Sequence, residues 1–538
     1  MKWIKSGAPW IWLTAGAVSL SLLAVLGLLL LIGWKGLSFF WPTTLYQFEI
    51  ERGEHVEIVI GEVYGRETVS SYQLGLSVDA PDAQRLLIKT ANRDVEGSDF
   101  ISVLDQHIFS QTVPENAAVI ERSREGDFFG FPVAVINDGE QYPVAKLGEL
   151  LDEVTETREL IRQIEKQEIG AINWSLEQLR LQERKLQMAA SLTQEEQLAI
   201  EQQRLSLQHN YHQLADQLTE MRVLIERDAL VVRDAKGALH TLPMSDVLDI
   251  WHPNQMSVLQ KMNHWRKQIG KFVSDDPREA NTEGGVFPAI FGTVLMVLLM
   301  SVIVTPFGVI AAIYLNEYAG NNAFTRLIRI AIINLAGVPS IVYGVFGLGF
   351  FVYMVGGTID NLFYAESLPA PTFGAPGILW SALTLAILTL PVVIVSTEEG
   401  LSRVPQSVRE GSLALGATQF ETLWRIVLPM ASPAIMTGLI LAVARAAGEV
   451  APLMLVGVVK MAPTLPIDAN FPYLHLDRKF MHLGYHIYDV GFQSPNIEAA
   501  RPLVYATSFL LVLVIVSLNL TAIGIRNHLR DKFRSLEQ

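Results

Sequence analysis

REGSLALGATQFETLWRIVLP, residues 409–429, is a polar insert lying between two long apolar segments. Its alternation of polar and apolar positions predicts a short amphipathic helix that does not enter a bilayer. The landmarks are Glu410, Gly411, Gly416, Ile426, Leu428 and Pro429. Glu410 can cap a helix start or pair with a basic group on a partner. Gly411 follows it at a cost of about 1 kcal/mol of helix stability against Ala. Gly416 tolerates positive φ and can supply a tight turn. Pro429 lacks an N–H, so it is expected to interrupt the backbone bonding and fix the exit angle into the next apolar segment. An ordinary interfacial helix following a membrane span is the plainer alternative.

Working outward, the chain has 538 residues, half of them hydrophobic. Several apolar runs exceed the roughly 20 residues needed to cross about 30 Å of hydrocarbon. Six are expected: Trp10–Trp34, Val286–Leu315, Leu327–Val355, Gly377–Ser396, Pro433–Val458 and Val504–Ile525. The first is too long for a cleaved signal segment and leaves through GWKGLSFFWP with no small-residue cleavage site, so it reads as an uncleaved anchor. The chain then divides into residues 1–41, an N-terminal tip and first span; 42–282, a polar insert; and 283–538, a membrane core carrying the loop 398–431. Cysteine is absent, which excludes disulfides, thiolate metal sites and cysteine nucleophiles.

The charges orient these spans. Lys2 and Lys5 precede the first, Arg326 and Arg329 lie between the second and third, Arg403, Arg409 and Arg425 between the fourth and fifth, and Arg526, Arg530, Lys532 and Arg534 follow the sixth. The loop from Gly356 to Pro376 has no Lys or Arg. The positive-inside rule therefore predicts that both termini and the 409–429 loop are cytoplasmic and that 42–282 is outside. The segment from Val459 to Pro502 runs against the rule, for it carries Lys460, Arg478, Lys479 and Arg501 on the outer side.

The net charge of −14 belongs to the insert, where Pro42–Gly285 carries 41 acidic against 24 basic residues. The remainder is slightly basic, so nucleic-acid binding has no support. Within the insert, residues 46–145 and 229–251 alternate short β-branched and aromatic runs with turn signals, as in VEIVIGEVY and FPVAVIN, and predict a β-rich domain. LVVRDAKGALHTL reads as a hairpin. Between them, 147–227 has almost no Pro or Gly. Ile200, Leu207, Tyr211, Leu214, Leu218, Met221 and Ile225 follow the 3-4 spacing of a coiled-coil seam, as do Leu147, Leu151, Val154, Ile161 and Ile164. Thr193 and Glu196 can form a capping box that restarts the helix. The expectation is an antiparallel coiled-coil hairpin with arms of about 40 residues, roughly 60 Å long. It would be a docking arm for an outer partner or an accessory extension.

The fifth apolar run contains ARAAGEVAPLML, with Arg445 and Glu449 four residues apart and expected on one helix face. Ionisable groups inside an apolar segment usually face a partner, a cavity or a substrate route. The planar guanidinium suits phosphate or another oxyanion. Glu449 could neutralise Arg445 when the site is empty; the alternative is an ion pair that only locks helices. Pro306, the run GVPS (337–340) and Pro391 are expected to interrupt the second, third and fourth spans. Ser340 could offer its hydroxyl to a passing anion; for Ser340 and Tyr343, packing is the plainer role. No Walker loop, H-E-x-x-H, G-x-S-x-G or metal-spaced histidine cluster occurs, so no ATP site, cofactor, metal or catalysis is expected within the chain.

The 409–429 spacing E-x5-G-x9-I-x-L-P resembles the loop through which ABC-importer permeases meet their ATPase. Together with PFGVIAAIYLNEYAG, NLAGVPSIVYGVFGLGFF and GEVAPL, it resembles the permease subunit of phosphate-specific ABC importers of the PstA type. The resemblance implies a mainly α polytopic protein of the cell inner membrane, with six transmembrane helices of the type I ABC-importer permease kind. A periplasmic β-rich domain carrying the hairpin would be added to it. It further implies a PstC-type sister subunit, PstB-type cytoplasmic ATPases, a periplasmic phosphate-binding protein and the lipid bilayer as partners, and inorganic phosphate as the solute. Arg445, Glu449 and Ser340 would lie on the substrate pathway. Glu410, Gly411, Gly416, Ile426, Leu428 and Pro429 would couple to the ATPase. Val450 stands where GETAPL has Thr, and the large insert departs from the short form of the subunit. Alternatives are a permease for sulfate or molybdate, or a non-transporting membrane sensor or scaffold.

Overall fold

The computed structural model describes residues 8–52, 55–70, 83–278, 281–320, 322–494 and 497–533. Of the charges used to orient the chain, Lys2, Lys5 and Arg534 lie outside the described residues. The chain forms two compact units, one of residues 40–272 and 278–285, the other of 1–39, 273–277 and 286–538.

In the second of these units, six helices are long and apolar enough to cross a membrane: Trp10–Ser38, Phe287–Tyr318, Ser340–Phe363, Ile378–Ser402, Gln419–Gly448 and Ala500–His528. We number them as spans one to six. Two boundaries differ from the sequence expectation. Span three begins at Ser340, because Leu327 belongs to a separate helix, Ala323–Leu335, and Pro339 is extended (φ −56°, ψ 135°) between the two. Span five begins at Gln419 and ends at Gly448, upstream of the expected Val458. Its polar first turns are helical because Thr418 caps them. Pro429 therefore does not interrupt the helix: a π turn at Leu423–Val427 precedes it, and the widened ring accommodates a residue without an N–H. Pro306 and Pro391 likewise lie inside unbroken helices, Phe287–Ile313 and Ile378–Ser402. Of the three expected interruptions, the GVPS run alone separates two helices, Ala323–Leu335 and Ser340–Phe346.

The membrane core is a cluster of Met296, Met300 and Val304 from span two, Ala382, Leu385 and Val393 from span four, and Ala442, Ala446 and Ala447 from span five. Small alanines at the contact let the helices approach closely. The segment between spans five and six folds over one end of this core. The carbonyls of Arg478 and Leu476 accept from the N–H groups of Ile378 and Leu379 (2.9 and 3.0 Å), satisfying the first orphan donors of span four. Thr293 Oγ1 of span two accepts from the N–H of Leu483 at 2.9 Å.

Among its described residues the other unit has two large antiparallel sheets. Strands β1 (Tyr46–Arg52), β2 (His55–Val69), β3 (Ala83–Lys89), β4 (Phe100–Leu104) and β5 (Ile108–Thr112) pair in the order β4-β3-β2-β1-β5. Strands β6 (Ala118–Arg122), β7 (Phe128–Asn137), β8 (Glu140–Pro143), β9 (Ala229–Arg233), β10 (Leu239–Pro243) and β11 (Val247–Trp251) pair as β10-β9-β7-β6-β11, with β8 on β7. LVVRDAKGALHTL forms the β9–β10 hairpin, with Leu239 opposite Arg233. The long helical hairpin leaves this second sheet after β8. Its first arm runs Leu147–Gln163, through a π turn at Ile164–Ile169, to Met188; its second arm is Gln194–Arg227, opened by the Thr193–Glu196 capping box. Leu147, Leu150, Val154, Ile161, Leu218 and Ile225 at its base share one buried cluster with Phe128, Val135, Leu230 and Val232 of the sheet.

Candidate functional site

The polar loop between spans four and five is a bracket of two helices. Span four runs to Ser402, and after Pro405 the helix Gln406–Ala414 begins. Gly416 has φ +89° and reverses the chain; a side chain there would be strained. Thr418 then opens span five with a capping box: its hydroxyl accepts from the N–H of Glu421 at 3.2 Å, and the Glu421 carboxylate accepts from the N–H of Thr418 at 2.9 Å. The cross-tie is a bond between the hydroxyls of Ser412 and Thr422 at 2.9 Å, both residues buried.

Glu410, Gly411 and Gly416 lie on the exposed side of this bracket, whereas Ile426, Leu428 and Pro429 are half-buried in the first turns of span five. Leu415 is 91% exposed at the turn, and Phe420 and Trp424, stacked on each other in the first turns of span five, are exposed as well. An apolar tip on a polar loop is a surface built to be covered. On its inner side, Arg409 donates to both oxygens of Glu317 (2.5 and 2.6 Å) and to the carbonyl of Leu401 (2.6 Å). Arg329 similarly reaches the carbonyl of Leu315 (2.8 Å) and the Glu398 carboxylate (3.3 Å). Sequence reasoning counted Arg409 and Arg329 only as orienting charges and passed over Glu317. The available signal was an acid at the end of an apolar span with no cation within one helical turn.

The second group of residues lies where span five ends. Arg445 is in its last turn and Glu449 is the C-cap, extended at φ −79°, ψ 134°. The pair is not on one helix face in mid-segment, as expected; the helix stops between them, yet Arg445 Nε still lies 3.6 Å from Glu449 Oε1. About a third of the Arg445 side chain and a fifth of that of Glu449 are exposed, so both ends of the pair can meet solvent or solute. After Glu449 the chain turns through Val450 to Pro452 and packs against span three: a Cβ on Gly344 would lie 2.7 Å from the Cα of Pro452. That contact brings the start of span three to the end of span five. The Tyr343 hydroxyl donates to the carbonyl of Leu335 at 2.6 Å, closing the GVPS break. Ser340 is the first residue of span three, half-buried, one turn before Tyr343.

A third polar set, unmarked by sequence, lies in the segment following span five. His482 and His486 are buried in and before the helix Leu483–Tyr488. Burial pushes both imidazoles down to about 4. His482 Nδ1 accepts from the N–H of Gly484 at 3.1 Å, and the buried Asp489 pairs with Lys460 at 3.2 Å. Among the described residues no group of three or more His, Asp or Glu side chains is arranged to hold a metal ion.

Residues 304–535 match the family described as "Binding-protein-dependent transport system inner membrane component". The chain is similar to the probable ABC transporter permease protein YqgI of Bacillus subtilis (strain 168), with 31% identity over 257 residues, 47% of this chain and 81% of YqgI. It is also similar to the phosphate transport system permease protein PstA 1 of Mycobacterium tuberculosis (strain ATCC 25618 / H37Rv), with 38% identity over 175 residues, 32% of this chain and 51% of PstA 1. The PstA of Mycobacterium leprae (strain TN) is 36% identical over 194 residues, 36% of this chain and 58% of its own length. The chain thus spans little more than half the length of these two mycobacterial relatives.

Proposed function

The chain belongs to the family of binding-protein-dependent transport system inner membrane components, and from that premise we propose that it is the permease subunit of an ATP-driven importer of inorganic phosphate. It is a multi-pass membrane protein of ABC-transporter permease type, a transport component whose ATP hydrolysis belongs to a partner subunit. The observation that carries the proposal is the bracket, an exposed surface of Glu410, Gly411 and Leu415 tied by bonded side chains to spans two and five. A loop of that construction can pass a push from a cytoplasmic ATPase into the membrane helices.

In this reading the loop 398–431 and both termini face the cytoplasm, and residues 42–282 face the periplasm of a cell whose inner membrane holds the protein. Phosphate is delivered by a periplasmic binding protein. A PstC-type sister subunit completes the conduit, and PstB-type ATPases close against Glu410, Gly411, Gly416, Ile426, Leu428 and Pro429. The anion passes Arg445, whose guanidinium offers a donor fork to its oxygens. The Ser340 hydroxyl, at the start of span three, lies on the same route. Glu449 holds Arg445 when no anion is present and yields it when one arrives. Net movement requires that the inward- and outward-open states bind phosphate differently. The choice of phosphate over sulfate or molybdate is supported by the PstA names of the relatives and by GEVAPL.

The test is reconstitution of the chain with its sister subunit, ATPase and binding protein in liposomes. ATP-dependent phosphate uptake is expected, resistant to excess sulfate, and Glu410→Lys should reduce it at least about tenfold by repelling the ATPase contact. Uptake of sulfate in preference to phosphate would overturn the substrate assignment.

A further inference from the structure

The bracket between spans four and five has two separate attachments, and they lead to different spans. Ser412 bonds Thr422 and so binds the helix Gln406–Ala414 to the start of span five. Three residues earlier in the same helix, Arg409 reaches away to Glu317, in the π turn Tyr314–Tyr318 that ends span two. We propose that Arg409 and Glu317 are the positioning pair that carries movement of this helix into span two during transport. The inference rests on the reading of the bracket as the ATPase contact and adds the route by which the push divides.

Three observations support it. The contact is charge-assisted, with Arg409 Nη1 on both Glu317 oxygens at 2.5 and 2.6 Å and Nη2 on the Leu401 carbonyl at 2.6 Å. A planar guanidinium held at two of its nitrogens by two different acceptors is fixed in orientation as well as position, unlike a single bond. The pair is shielded, with side-chain exposures of 21% and 13%, so the attraction is not dissipated by solvent as in an exposed pair. Pro405 and Gly416 bound the helix that bears Arg409, its outward residues, Glu410, Gly411 and Leu413, are exposed, and its Ser412–Thr422 bond leads to span five, not to span two. If the pair is broken, Ser412 still drags span five while span two no longer follows. ATP would then be spent without the coordinated tilt that moves the anion.

The test uses the full chain with its sister subunit, ATPase and binding protein in liposomes, with inorganic phosphate as the probe. Glu317→Gln keeps the shape and removes the charge. The expected result is continued ATP hydrolysis, phosphate delivered per ATP lowered by about fivefold or more, and an unchanged KM for phosphate. Arg409→Glu combined with Glu317→Arg is expected to recover much of the yield. Should Glu317→Gln fail to assemble, Arg409→Gln removes the charge from the other side of the pair and is read by the same ratio. A wild-type ATP-to-phosphate ratio in assembled Glu317→Gln or Arg409→Gln complexes would overturn the pair's role, leaving it a latch for stability alone. If the wild-type complex itself moves no phosphate, the functional reading of the chain falls instead.

Discussion

At the residue scale the two charges at the end of span five make the sharpest demand. Arg445 and Glu449 are 3.6 Å apart and partly exposed, which is too far for a hydrogen bond and too open for a pair that exists only to lock helices. Arg445→Gln should therefore leave the folded protein's thermal stability within about 1 kcal/mol of wild type. Its phosphate uptake in reconstituted liposomes should fall by about tenfold or more. Arg445→Lys should recover only part of the loss, since a point charge replaces a planar fork. Equal loss of stability and uptake in Arg445→Gln would make the pair structural. The identity of these two residues was legible in the sequence, because charge inside an apolar run is conspicuous. Their geometry was not, because Gly448 ends the helix one residue before Glu449 and the spacing of four survives the change from helix to extended chain. Arg409 and Glu317 were illegible for another reason: they are 92 positions apart, and a single long-range pair leaves no periodic trace.

At the element scale, local rules described the helices and missed how they join. Thr193–Glu196 and Thr418–Glu421 both form capping boxes. The first was anticipated because a loop precedes it; the second was hidden by reading the polar stretch as separate from span five. Pro429 has the opposite lesson, since a proline ends a helix only where no π turn relieves it. The segment after span five carries a prediction of its own. His482 and His486 titrate near 6.5 when unfolded and at about 4 when buried, where Asp489 raises and Lys460 lowers His486. Between those values the unfolded segment binds more protons, so its folded form is at full strength above pH 6.5 and weakens as the pH falls toward 4. The loss should be about 2 kcal/mol per histidine by pH 5. Proteolysis of this segment in the intact protein should accelerate from pH 7.5 to 5, and His482→Asn with His486→Leu should flatten that slope. An unchanged slope would place the pH response elsewhere. In the other unit, the helical hairpin shares its base with the sheet, while only Leu179 and Ile200 are buried farther out. Replacing residues 173–213 by a short Gly/Ser turn should leave the unit folded by circular dichroism. Deleting 147–227 should not, because Phe128, Val135 and Leu230 would lose their cover.

At the scale of the whole molecule, everything proposed depends on which side of the membrane the bracket occupies. The six spans alternate, so an even number places both termini on one side and the loops between spans two and three and between four and five on that same side. Arg326, Arg329, Arg403, Arg409 and Arg425 sit in or beside those loops, while the segment between spans three and four has none. The rule that cationic loops stay inside then assigns them to the cytoplasm. Lys460, Arg478, Lys479 and Arg501 argue the other way for the segment after span five, and the fold engages some of them. Lys460 is paired with Asp489, and Arg478 bonds Asp468 at 2.6 Å and the Leu465 carbonyl at 2.8 Å, so two of the four are engaged within the folded cap. The chain has no cysteine, which makes a direct measurement simple. Gln419 is exposed at the first residue of span five, and Gln419→Cys gives a single thiol there. In intact cells or right-side-out vesicles a membrane-impermeant maleimide should leave it unlabelled, and it should react once the membrane is opened. A cysteine in the exposed middle of the helical hairpin, such as Leu198→Cys, should show the reverse accessibility and react from outside. If Gln419→Cys is labelled from outside, an odd number of spans separates it from the cytoplasm, the bracket cannot meet an ATPase, and both the coupling role of Glu410 and the division of the push through Arg409 fall with it.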